Sequence, residues 1–159
     1  MEHNMMLRQI GVVRSDDEGF RLQVAPDCRG ALLGLDGFSH LNIFWWFSGC
    51  ESASDRQLLT VEQPYTNGPE RLGVLATRSP QRPNPIALSC CGVTYVDSQN
   101  GVIGLDYIDA YDQSPLLDVK PYVPSVDRVA SPQVPAWCAH WPDCVERSGE
   151  FAWDSEFNH

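Results

Sequence analysis

Two arginines in a proline-stiffened loop carry the clearest chemical signal. Arg78 and Arg82 lie in Thr77-Arg-Ser-Pro-Gln-Arg-Pro-Asn-Pro85, where Pro80, Pro83 and Pro85 follow one another closely. Each proline fixes its own φ and pushes the preceding residue towards extended backbone. A guanidinium stays charged at neutral pH and offers a planar fork of donors to a carboxylate or phosphate. Fixed charge on stiff backbone is what preorganised anion recognition requires. For a generic loop of this composition, ordinary surface ion pairs are the competing reading. A second cluster follows in Ile108-Asp-Ala-Tyr-Asp-Gln-Ser-Pro-Leu-Leu-Asp-Val-Lys-Pro-Tyr122. Asp118 and Lys120 are two apart on a predicted strand, so both face one side. They either pair with each other as scaffold or line a pocket with the arginine loop, and the residues alone leave both open.

Strands must position these groups. Gln9–Ser15 and Phe20–Val24 read as strands around the polar turn Asp16–Gly19. Leu32–Phe38, with Gly34 and Gly37, reads as irregular or a short helical turn. Ser39–Phe47 is an aromatic central strand whose rings are normally core. Glu51–Gln57 is polar, Leu58–Val61 is a further candidate strand, and Pro64–Pro69 is turn-rich. Gly73–Thr77 reads as a strand leading into the arginine loop. Ile86–Val96 and Gly101–Ile108 form a hairpin around Asn100-Gly101, and Leu116–Lys120 is a last strand stopped by Pro121. Hairpins at this spacing predict a mainly β sandwich or barrel. Trp137, Trp141 and Trp153 are expected to pack a C-terminal tail onto it.

Composition narrows the classes. A chain of 159 residues suits one domain with a real core. No apolar run is long enough to span a bilayer, and Met1–Gln9 has no signal-peptide core, so a cytoplasmic location is expected. Without an export signal the six cysteines read as reduced thiols. Cys138, His140 and Cys144 match no common zinc spacing, so no metal is expected. The net charge of −10 weighs against tight general nucleic-acid binding. It leaves room for a local basic patch from Arg56, Arg71, Arg78, Arg82 and Lys120 and a brief contact with a short RNA loop.

The strings Ala76-Thr-Arg-Ser-Pro-Gln-Arg-Pro-Asn-Pro-Ile86 and Ser114-Pro-Leu-Leu-Asp-Val-Lys-Pro-Tyr122 resemble the TsaA/TrmO family. Ile10-Gly-Val-Val-Arg-Ser15 and Gly37-Phe-Ser-His-Leu41 match its earlier blocks in order, so the similarity spans residues 9–129, with 130–159 as an extension. The resemblance implies a small antiparallel β-barrel with short helical and irregular segments, acting as a homodimer. It implies S-adenosylmethionine as methyl donor near the subunit interface. The activity it implies is N6-methylation of threonylcarbamoyladenosine at position 37 of tRNA. Carried over by motif, Arg78, Leu88 and the turn Tyr111-Asp112-Gln113-Ser114 are the expected cofactor contacts. Arg82, Asn84, Lys120 and His40 are expected to shape the pocket or face the substrate.

This chain also departs from the family. Its stretch from Ser15 to Asp36 is short and has no Pro-Arg-Gln block, Ser48-Gly49 stands where His-Gln is frequent, and Gln113 replaces a turn glycine. A further C-terminal domain, present in longer bacterial members, is not expected. These departures keep two alternatives open: methyl transfer to another acceptor, and a non-catalytic S-adenosylmethionine-binding module. Removing a proton from an acylated adenine N6 calls for a positioned base. Asp112 and Asp118 are the candidates, with His40 a third that the aromatic strand could hold as a core residue.

Overall fold

The computed structural model describes residues 5–158. The first residues of the Met1–Gln9 segment, read above as free of a signal core, lie outside them. The alternating segments form β1 (Gly11–Asp16), β2 (Gly19–Val24), β3 (His40–Trp46), β4 (Thr60–Glu62), β5 (Arg71–Gly73), β6 (Ile86–Asp97), β7 (Val102–Leu105) and β8 (Pro115–Pro121). Six of them close into a barrel in the order β1-β2-β7-β6-β3-β8, and β4 and β5 form a separate hairpin. The fold is therefore a mainly β, antiparallel barrel rather than a sandwich.

β6 makes closure possible. Ile86–Gly92 pairs with β3 and Val93–Asp97 pairs with β7, with a register shift between Val93 and Tyr95. A bulge bends the strand there and lets one long element serve two neighbours. Inward side chains alternate along each strand: Val13, Leu22, Leu41, Ile43, Ile103 and Leu116 are fully buried. Each such aliphatic side chain stabilises the fold by about 1.5–3 kcal/mol. The β6–β7 connection is a four-residue loop rather than a two-residue Asn-Gly turn. Asp97 pairs with Val102, the Gly101 N–H donates to Asp97 O at 2.8 Å, and Gly101 takes φ +73°.

The strand expected over Gly73–Thr77 stops at Gly73, where β5 ends. Val74–Ala76 is a 3-10 turn, not a strand. Val74 is buried while Leu75 is exposed, and the Thr77 hydroxyl donates back to Val74 O at 2.9 Å, closing the turn. The polar Glu51–Gln57 stretch contains a short helix, α1 (Ala53–Gln57), whose N-cap Ser52 accepts from the Asp55 N–H.

The C-terminal tail packs as expected. Tyr65 stacks on Trp137 at 5.0 Å and meets Trp141 edge-on at 5.2 Å, and Trp141 meets Trp153 at 5.3 Å. Buried Glu156 accepts from His140 Nε2 at 2.8 Å and from Trp141 Nε1 at 2.9 Å. His140 is thus engaged with a carboxylate, and the described residues hold no group of three or more His, Cys, Asp or Glu arranged for a metal ion. No helix among them is long and apolar enough to cross a membrane.

Acid should loosen the β1–β2 hairpin. Hydrogen bonds from Arg21, the Glu18 N–H and Arg14 hold the Asp16 carboxyl down to about 2. An unfolded aspartate titrates at about 3.9. The carboxylate's contribution is therefore complete above about pH 4 and lost as pH falls towards 2. Urea midpoints should drop across that window, and Asp16→Asn should lower the midpoint at neutral pH while flattening the drop.

Candidate functional site

The Pro-rich loop and the start of β6 enclose a pocket of about 270 Å³ lined by Phe47, Thr77, Arg78, Arg82, Ile86, Ala87 and Leu88. Arg78 is exposed and donates through Nη1 to Leu88 O at 3.1 Å. That single bond lays the guanidinium along the strand and leaves most of its donors unengaged among the described residues. Ile86 and Leu88 point outward from β6 and are 36% and 42% exposed. The site thus combines two arginines, Arg78 and Arg82, with an apolar wall. A larger and more open depression of about 780 Å³ lies around Gln9, Gln23, Arg29 and Asn100, and none of the predicted site residues lines it.

The two arginines do different work. Arg82 is half-buried and turns back on its own loop, donating to Thr77 O and Ser79 O at 3.3 Å each and to Val74 O at 3.4 Å. It staples the loop from within while Arg78 faces out. Helix α1 clasps the same loop from outside. Gln81 Nε2 donates to Asp55 Oδ1 at 2.8 Å. Arg56 donates to Pro83 O at 2.9 Å and to Asn84 Oδ1 at 3.2 Å, and its guanidinium lies 6.0 Å over the Trp46 ring. Asn84 therefore serves the clasp. The Asp55 carboxyl is held below the usual range, first by the Ser52 hydroxyl and then by Gln81.

Strand register brings several predicted residues onto one outer face. Leu88 pairs with Phe44, and Phe44 with Asp118. Leu88, Phe44 and Asp118 thus form one row across three strands, with Asp118 about 10 Å from Leu88. Asp118 and Lys120 pair with each other at 2.8 Å, and Lys120 also lies 5.9 Å over the Phe44 ring. Of the two alternatives read from the sequence, the ion pair is formed, and neither residue lines the pocket at the arginine loop. His40 opens β3 at the far end of this face, about 13 Å along the strand from Phe44. It shares a hydrogen bond with the Ser39 hydroxyl at 2.9 Å and packs edge-on to Tyr122, so the structure does not bring it to the arginine loop.

The turn Tyr111–Ser114 precedes β8. Because Trp45 pairs with Leu116, the turn stands at the barrel rim where β3 ends and β6 begins. Gln113 takes φ +68°, the left-handed region that favours glycine. Asp112 anchors it, accepting from Arg14 Nε at 2.9 Å and the Ser15 N–H at 3.1 Å. The Ser15 N–H first, then Gln113 and Arg14, hold its carboxyl below the usual range. The Ser114 side chain is fully buried and its hydroxyl has no partner among the described residues. Tyr111 is exposed.

Sequence reasoning missed Phe44, Trp46 and Ile86 as the outward apolar face, and Asp55 and Arg56 as the clasp. The first had a usable signal. Phe44 and Trp46 have the opposite parity to Ile43 and Trp45 on the same strand, so one pair had to leave the core.

Residues 2–128 match the family described as tRNA-methyltransferase O N-terminal domain. The chain belongs to this family. It is 36% identical over 119 residues to the tRNA (adenine(37)-N6)-methyltransferase of Escherichia coli K12, covering 74% of this chain and 50% of that protein. It is 30% identical over 139 residues to an S-adenosyl-L-methionine-binding protein of Archaeoglobus fulgidus, covering 79% of this chain and 94% of the relative. A crystal structure of TrmO from Pseudomonas aeruginosa superposes with a TM-score of 0.64 at 28% identity, covering 82% of this chain and 61% of that one. The chain thus spans about half the length of the Escherichia coli relative.

Proposed function

We propose that the chain binds S-adenosylmethionine against Arg78 and the Ile86–Leu88 wall and methylates N6 of adenosine 37 in tRNA, with the threonylcarbamoyl form as its substrate. One observation carries the reading: the outward guanidinium of Arg78, held by a stapled loop, lies beside an exposed apolar strip. The donor set fits the ligand, since a guanidinium fork suits its carboxylate and an apolar wall suits its adenine. The relatives named for binding S-adenosylmethionine and for methylating adenine 37 support the same reading.

When bound, S-adenosylmethionine supplies an electrophilic methyl group, and the protein's main task is alignment. Arg78 anchors, and Ile86 and Leu88 shield the site from water. The buried, unpartnered Ser114 hydroxyl and exposed Tyr111 belong to the neighbouring rim and are proposed as further contacts, with Gln113 holding the turn. Asp112 is held ionised by three donors and serves as an anchor rather than a proton acceptor. Asp118 is proposed as the base because it lies exposed in the row that contains Leu88, where it pairs with Lys120. Arg82 and Asn84 shape the loop, and His40 is proposed to face the tRNA from the far end of the face.

The pocket of about 270 Å³ is below the ~300–1,000 Å³ of most small-molecule sites. With Ile86 and Leu88 exposed beside it, this supports a homodimer whose second copy covers the site. Sedimentation at micromolar concentration should give twice the mass of one chain, and a monomer that binds S-adenosylmethionine fully would contradict it. Residues 9–129 are proposed as the core of one domain with 130–159 as its extension, acting in the cytoplasm where tRNA is modified. Equilibrium dialysis against labelled S-adenosylmethionine tests the cofactor reading, which predicts saturable binding at one site per chain. Absence of binding would overturn it.

A further inference from the structure

The larger depression, of about 780 Å³, takes no part in the chemistry above. Its polar lining is Gln9, Gln23, Arg29 and Asn100, with Val12 and Pro26 as an apolar wall. Among the described residues no carboxylate lines it. Arg29 is built into the site. A Cβ added at Gly101 would meet Arg29 Nε at 2.8 Å and its Cγ at 2.9 Å, so the glycine of the β6–β7 loop gives the arginine its seat. Nη1 donates to Gln99 O at 3.0 Å, which orients the guanidinium. Nε is buried and has no partner among the described residues. A buried donor without an acceptor is costly, and folded proteins keep few of them.

The amides around Arg29 share one orientation. Gln9 Nε2 donates to Gly11 O at 2.9 Å, Gln23 Nε2 to Asn100 O at 3.0 Å, and Asn100 Nδ2 to Asp97 Oδ2 at 2.8 Å. Each engages its NH2 with the protein, and none of the three amide oxygens accepts a hydrogen bond among the described residues. The depression therefore offers guanidinium donors and amide acceptors beside an apolar wall. A nucleobase has donors and acceptors on its edge and an apolar face, and arginine, glutamine and asparagine are the side chains that read such edges. A phosphate would instead call for several cations and would meet the amide oxygens unfavourably. A net charge of −10 points the same way, against gripping an RNA backbone.

Strand register relates this depression to the Arg78 pocket. Gly11, in its lining, pairs with Leu116. Leu116 pairs with Trp45 on its other side, and Trp45 with Ala87, which lines the Arg78 pocket. Three strand spacings, about 14 Å, separate the two along the barrel wall. A few nucleotides of looped-out single strand cover that distance. We infer that the Arg29 depression binds a nucleobase of the RNA strand flanking the target adenosine, a second contact that holds tRNA without gripping its backbone. The inference rests on the tRNA reading above.

Fluorescence anisotropy of a labelled anticodon stem-loop RNA on the full chain tests it, with S-adenosylmethionine binding measured alongside. Arg29→Ala should weaken RNA binding about 5- to 50-fold, the loss of a base contact. S-adenosylmethionine affinity and the salt dependence of RNA binding should stay as in wild type. Gln9 is exposed, so Gln9→Ala leaves the seat of Arg29 intact, and it should weaken RNA binding about 3-fold. In methyl transfer to tRNA both variants should raise KM and spare kcat. If the wild-type chain binds and methylates tRNA and both variants match it, the inference fails and the tRNA reading stands. A salt slope that falls by about one with Arg29→Ala would make Arg29 a phosphate contact and overturn the inference. Free adenosine or guanosine monophosphate should compete with the stem-loop only weakly. Tight binding of either, lost with Arg29→Ala while the stem-loop binds as before, would make this a free-nucleotide site and overturn it as well. If the wild-type chain neither binds nor methylates tRNA, the tRNA reading fails and the inference with it.

Discussion

Arg78→Ala should weaken S-adenosylmethionine binding about 100- to 1,000-fold, the loss of two charge-assisted hydrogen bonds. It should do so at almost no cost to the fold. The Arg78 side chain is exposed and has one intramolecular bond among the described residues, to Leu88 O at 3.1 Å, so the thermal midpoint should move by no more than about 2 °C. Calorimetric titration and a thermal melt of the same preparation measure both. Arg78→Lys should restore only part of the affinity, because an ammonium cannot present a planar fork. A variant that melts early yet binds normally would make Arg78 scaffold.

Arg82→Ala should show the opposite balance. This arginine is half-buried and holds Val74, Thr77 and Ser79 carbonyls together. Its bonds are long, at 3.3 to 3.4 Å, so their combined loss is about 2 kcal/mol. For a chain of this size that lowers the midpoint by about 4–8 °C. Affinity should fall as well, because the loop that presents Arg78 loses its staple, and it should recover partly when the temperature is lowered. Two arginines four residues apart, one lost in binding and the other first in stability, would be hard to reconcile with a loop of ordinary surface ion pairs. A midpoint unchanged by Arg82→Ala would show that α1, through Asp55 and Arg56, is enough to hold the loop.

Much of this was legible in the sequence because it depended on local rules. Alternation located the barrel strands, and the Asn100-Gly101 signal placed the β6–β7 hairpin. Prolines marked the loop as stiff. What local rules could not decide was which donors meet which acceptors across space. Arg78 and Arg82 look alike in sequence, and only the return of the chain over Val74–Ser79 separates their roles. Asp118 and Lys120 were correctly placed on one side of a strand. That this side is the outer row with Phe44 and Leu88 depends on the pairing of β3 with both β6 and β8. His40 sat in a matching block, yet strand length carries it to the far end of the face. The segment Val74–Ala76 has strand-forming residues but closes as a 3-10 turn, because the Thr77 hydroxyl caps it and burying Val74 alone suffices. The tail was legible as aromatic packing, while its attachment to Tyr65 rests on contacts about ninety residues apart in sequence, such as Thr66 to Ser155.

The central claim concerns where a methyl group goes. Purified chain should be incubated with methyl-labelled S-adenosylmethionine and tRNA carrying threonylcarbamoyladenosine at position 37, and the tRNA then digested and its nucleosides analysed by mass spectrometry. The account predicts label on N6 of that nucleoside, lost with Arg78→Ala and reduced with Asp118→Asn. S-adenosylmethionine bound normally with no label in the tRNA would contradict it.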